Sequence, residues 1–96
     1  MTAPATVVDS SPIPVTATTN IDVAKAGDLV EIFDGSSGAL VGYCSVGTSC
    51  TVNDQENRLG LNEFVAFVAT TVSTTLPPAT TLASSNVAAT SRYYIP

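Results

Sequence analysis

Residues Leu29–Cys44 read LVEIFDGSSGALVGYC, and this stretch decides the fold class. In Leu29–Asp34 the apolar side chains fall on both sides of an extended chain. Val30 and Ile32 point one way, and Leu29, Glu31 and Phe33 point the other, which is the two-residue period of a strand. Asp34-Gly35-Ser36-Ser37-Gly38 is a turn by its chemistry: two glycines accept positive φ at no steric cost, and short polar side chains satisfy local backbone groups. Leu40–Ser45 then returns, so the stretch predicts an antiparallel hairpin.

Downstream, Ser45–Ser49 forms a second turn centred on Gly47, and Cys50–Asn53 a short strand. Asn53–Gly60 is polar and charged and reads as a surface loop. Asn62–Ala69 is a strand with Phe64, Ala66 and Val68 on one face and Val65 and Phe67 on the other. Apolar residues on both faces predict a central position in a sheet. Thr70–Ala83, with Pro77-Pro78, reads as a long loop or an edge excursion, and Ser84–Ser91 as a last strand through Val87 and Ala89. Upstream, Val15–Asn20 reads as a strand and Ile21–Asp28 as a connection.

Met1–Pro14 reads as an extended arm. Pro4, Pro12 and Pro14 forbid a helix and confine any pairing to an edge, and Thr6-Val7-Val8 is its strand-like part. The expected division is an arm over 1–14, a body over 15–91 and a C-terminal tail over 92–96. With about seven short strands and no helical periodicity, the chain is expected to be all-β. An antiparallel two-sheet sandwich follows, with a small barrel as the alternative.

Composition bounds the function. Ninety-six residues make one domain, with 45% hydrophobic and only 11% charged residues and a net charge of −5. Lys25, Arg58 and Arg92 are its only basic residues, too few to neutralise a nucleic-acid backbone. Histidine is absent, which removes Ser–His–Asp and Cys–His catalysis and imidazole metal sites. No run of eighteen apolar residues is present, so no membrane partner is expected. Met1–Ser11 lacks the basic and apolar regions of a secretory leader, and the initial Met reads as the start of a complete small reading frame. A surface with so little charge suits a protein that touches neighbours over much of its area, or a β-domain solubilised by hydroxyl groups.

Cys44 and Cys50 are the sharpest local feature. If their strands pair around Gly47, the two Cα atoms fall near the ~5.5 Å a disulfide needs. The alternative is two buried thiols. Their spacing is not that of a redox or zinc pair, and no other Cys or His completes a metal site. Asp34, Ser36 and Ser37 offer oxygens, with Asp54 or Glu56 from elsewhere, but match no dense calcium loop; turn chemistry explains Asp34. Asp22, Asp28, Glu31 and Glu63 read as scattered, solvated acids. A carboxylate pair for glycoside hydrolysis needs a cleft that so small a domain rarely forms. The expectation is a non-enzymatic protein without cofactors.

Phe33, Phe64 and Phe67 read as core, and Tyr43 as partly exposed. The tail Arg92-Tyr93-Tyr94-Ile95-Pro96 has two readings. It finishes the last strand and caps the core, or it docks on a neighbouring subunit, since aromatics and Arg are enriched in interface hot spots. Val7 and Val8 in the arm are the other candidates for partner binding.

From Val15 to Thr90 the chain resembles immunoglobulin-like modules found as repeats in actinobacterial surface and secreted proteins. The residues that carry the resemblance are Thr16–Val23, Val30–Asp34, Ser37–Cys44, Gly47–Val52, Phe64–Ala69 and Ala83–Val87. Similar modules decorate the heads and tails of tailed phages. A single copy without an export signal favours the virion form, unless the chain is excised from a longer protein. The resemblance implies an immunoglobulin-like sandwich on the virion surface, assembled in the host cytoplasm. It would be a capsid decoration protein that binds and bridges major capsid subunits and contacts copies of itself. The alternative is an extracellular adhesion, carbohydrate-binding or spacer module, and the lack of Trp weakens the sugar-binding form.

Overall fold

A computed structural model describes residues 1–8, 11–55, 59–74, 76, 81–85 and 88–93. Among them the chain forms eight strands and one helical turn. These are β1 (Thr6–Val8), β2 (Ile13–Thr18), α1 (Val23–Ala26), β3 (Leu29–Asp34), β4 (Leu40–Cys44), β5 (Ser49–Asp54), β6 (Gly60–Ala69), β7 (Thr81–Ser84) and β8 (Ala88–Tyr93). The fold is all-β. One sheet runs β1-β8-β6-β3-β4, with β7 also on β6; the other is the pair β2-β5.

The expected hairpin is β3–β4, with a bulge between Ile32 and Phe33. β6 is central, as its two apolar faces predict. One edge takes β3 along Phe64–Ala69, and the other takes β8 along Gly60–Phe64 and β7 along Phe67–Ala69. Alternation then sends Val30, Ile32, Phe64 and Ala66 to one face of the large sheet. There they meet Ile13, Val15, Ala17 and Cys50 of the small sheet, forming the main core.

The opposite face of β3 is also covered. Phe33 is fully buried and meets Phe67 edge to face at 5.8 Å. Glu31 lies between Tyr43 of β4 and Phe67 of β6 in register and is 0% exposed. Its Oε2 accepts the Ser73 N–H at 2.8 Å, and its Oε1 has no hydrogen-bond partner. Glu31 is therefore not the solvated acid that its polarity alone implies. A central strand buries every side chain it carries once another segment, here around Ser73, lies across its second face.

The N-terminal arm is built into the body. Thr2 and Thr16 exchange both backbone hydrogen bonds, at 2.8 and 2.9 Å. The Thr90 hydroxyl donates to the Pro4 carbonyl at 2.6 Å, and β1 then lies parallel to β8. This parallel pair departs from the antiparallel expectation, because the arm crosses from the small sheet to the large one before returning as β2. Pro14 is accommodated for a reason of parity. Thr16 aims its N–H and C=O at Thr2, away from β5, so Pro14, two residues earlier, has no N–H to lose on the β5 side.

The sheets approach most closely where Gly42 faces Val52. A Cβ at Gly42 would stand 2.8 Å from Val52 Cγ1 and 3.2 Å from Val52 Cβ. We expect Gly42→Ala to destabilise the domain by about 1–3 kcal/mol, read as a lowered Tm, with partial recovery when Val52→Ala is added. An unchanged Tm for Gly42→Ala would mean that the sheets do not close at this point.

Candidate functional site

The chain passes from the large sheet to the small one at residues 44–50, and a Cys44–Cys50 disulfide spans this corner, with Cα atoms 5.7 Å apart. The two strands do not pair with each other: β4 pairs with β3, and β5 with β2. The bond thus ties one sheet to the other, where strand pairing alone had predicted a cross-strand bridge within a hairpin.

The corner loop is held from a second side. Asp22 caps α1 by accepting the Ala24 N–H at 3.0 Å, and the same Oδ1 accepts the Gly47 N–H at 2.7 Å. Val23 N–H donates to the Gly47 carbonyl and Thr19 N–H to the Thr48 carbonyl. Gly47 sits at φ 87°, a conformation that side chains resist, so this turn needs glycine. Asp22 was expected to be a plain surface acid. Its true task was written in Asp22–Gly27, a capping residue followed by a closing glycine, a signal easily lost in a helix of four residues.

Because the second sheet has only two strands, it leaves part of the large sheet uncovered. The result is a groove of about 360 Å³. Val23, Val30, Ala66 and Val68 form its floor, with Thr18 to Ile21 on one lip and Leu82 to Ser85 on the other. Ile21 and Leu82 are 56% and 60% exposed on the two lips. Asp28 is the one charged side chain in the lining. No local pattern in the sequence marks this groove, since it depends on how few strands the second sheet holds.

The residues singled out for binding fall in different places. Val7 packs against the core, and Val8 is half-buried in β1. Arg92 and Tyr93 end β8, in line with the reading that they finish the last strand and not with a separate tail starting at 92; Arg92 lies between Val7 and Gly60 in register and Tyr93 opposite Val8. Tyr94 and Ile95 lie outside the described residues. A smaller cleft of about 180 Å³ brings Asp34 and Asp54 into one lining, as the oxygen-donor reading asked. Asp34 Oδ1 accepts the Ser36 and Ser37 N–H groups, which is turn chemistry. Among the described residues no group of three or more Cys, Asp or Glu is placed to hold a metal ion. Glu56 lies outside them. No described helix is long and apolar enough to cross a membrane.

Comparison with protein-family models, curated proteins and solved structures found no match to this chain.

The disulfide closes a short ring and is expected to contribute about 2 kcal/mol, so replacing both cysteines by Ala should lower the Tm. Asp22→Ala should cost about 1–2 kcal/mol through the lost cap and the lost Gly47 contact. Because both hold one loop, the combined variant should lose less than the two costs added together, as measured by urea unfolding. Strict additivity would show that the two restraints act independently.

Proposed function

We propose that the chain is an immunoglobulin-like sandwich that works by binding alone, as a decoration protein on the outside of a tailed-phage capsid. In this reading it bridges major capsid subunits and contacts copies of itself, and it has no catalytic role. The observation that carries it is the character of the surface. Ile21, Tyr43, Val46, Leu59, Leu61, Val72 and Leu82 are all exposed on a chain with only 11% charged residues. A freely diffusing domain normally covers itself with more charge and less apolar surface. On a symmetric shell, each copy can rely on weak contacts because many are made at once. The acidic balance suits an outward-facing position rather than one against packaged nucleic acid. Two sheets sharing one core, joined at a disulfide corner, support the immunoglobulin-like assignment.

One observation favours a second reading, that of an extracellular adhesion or spacer module. Disulfides persist chiefly in oxidising surroundings. On a virion, the Cys44–Cys50 bond would form after release from the host cytoplasm.

The test is binding of the purified protein to capsids that lack decoration, measured by co-sedimentation. Deleting residues 92–96 would remove the end of β8, so the informative truncation removes only Tyr94–Pro96. We expect saturable binding by the full chain and loss of binding by this truncation, with the Tm retained. Equal saturation by both would exclude the tail as the docking element. Absence of binding by the full chain would overturn the decoration reading.

A further inference from the structure

Neither cysteine owes its place only to the bond between them. Cys44 is paired with Val30 in the large sheet, and Cys50 with Ala17 in the small one. The loop between them is held by groups other than sulfur. Asp22 Oδ1 accepts the Gly47 N–H, Val23 donates to the Gly47 carbonyl, and Thr19 donates to the Thr48 carbonyl. With these contacts the two Cα atoms stand 5.7 Å apart, within the range a disulfide spans. The two residues differ in access. Cys50 is 2% exposed and belongs to the core with Ile13, Val15 and Ala17. Cys44 is partly buried against the edge of that core, and Ser45, Val46 and Thr48 in the adjoining loop are exposed.

We propose that Cys44 and Cys50 form a redox lock that closes on the already folded domain, with Cys44 meeting a small external disulfide and Cys50 completing the bond. In the first step the Cys44 thiolate attacks one sulfur of glutathione disulfide. The glutathione S–S bond breaks. One glutathione leaves as its thiolate and takes up the proton that Cys44 lost, while the other stays on Cys44. In the second step the Cys50 thiolate attacks the Cys44 sulfur. The second glutathione leaves and takes up the proton that Cys50 lost, and the Cys44–Cys50 bond is made. The two cysteines have then lost two electrons, and glutathione disulfide has gained them. The order follows from access, because a reagent in solution reaches the partly buried residue before the one enclosed by the core. Closure needs no unfolding, because two separately paired strands already hold the cysteines at a high effective concentration. The lock acts on the corner and on the groove wall at Thr19–Val23 that is bonded to it. The domain thus folds where thiols stay reduced and is stiffened later, where disulfides persist. This inference stands whether the protein is found on a capsid or on a cell surface.

The experiment follows the reduced full chain in excess glutathione disulfide, with acid quenching and mass mapping of peptides. We expect the reduced chain to keep the amide dispersion of the folded domain. Quenched early, it should carry glutathione on Cys44 and a free thiol at Cys50. In native buffer Cys50→Ala should take up glutathione about tenfold faster than Cys44→Ala, and the two should react alike in urea that unfolds them. Asp22→Ala should slow closure of the ring and leave the first step at Cys44 unchanged. Asp22→Asn keeps the accepting oxygen and should restore the closure rate. Such a split marks Asp22 as a positioning residue, since a general loss of structure would move both steps together. The proposal is overturned if glutathione appears first on Cys50, if the two single variants react equally in native buffer, or if the ring closes only after the chain unfolds. Unchanged closure in Asp22→Ala would overturn the part given to the loop anchors.

Discussion

The passage from one sheet to the other at residues 44–50 is the constraint on which the rest of the structure depends. Strand pairing holds each sheet together but does not set the distance between them. Here that distance is set within a few residues. Gly42 lets Val52 approach to a separation no other residue would allow, the Cys44–Cys50 bond prevents the sheets from parting, and Asp22 anchors the intervening turn. The apolar side chains of β2, β3, β5 and β6 then interlock at a fixed spacing, which is what turns apolar content into a packed core.

The same constraint shapes the surface. A two-stranded sheet locked at one corner of a six-stranded sheet cannot cover all of it. The N-terminal segment fills part of the gap through Thr2 and Thr16 and then crosses to β8, so the arm serves the domain's own closure. The strip it leaves open is the groove. Its wall at Thr19–Val23 is bonded to the corner loop, so the disulfide and the groove are mechanically adjacent.

Much of the architecture was legible from local patterns. Leu29–Asp34, the glycine-serine turn, the return strand and the two-faced strand through Phe64 and Phe67 all follow from alternation and turn chemistry. What escaped was non-local. Nothing near Glu31 reveals that a segment forty residues later crosses above it, so a buried carboxylate read as a surface one. The parallel β1–β8 pair joins opposite ends of the chain, and its distance in sequence hid it. For Arg92 and Tyr93 two readings stood open, the end of a strand or the start of a docking tail, and local pattern could not choose because both neighbours of β8 lie far away in sequence. The cysteines were found by spacing, but that they join two sheets depends on which partners β4 and β5 choose.

Amide hydrogen exchange, followed in the native protein and in the Cys44→Ala, Cys50→Ala variant, tests the central claim most directly. If the corner fixes the spacing of the sheets, loss of the bond should strip protection from β2, β5 and Thr19–Val23, while β3, β6 and β8 stay protected, since local openings follow cooperative units. A uniform fall in protection across both sheets, or no change in β2 and β5, would contradict it.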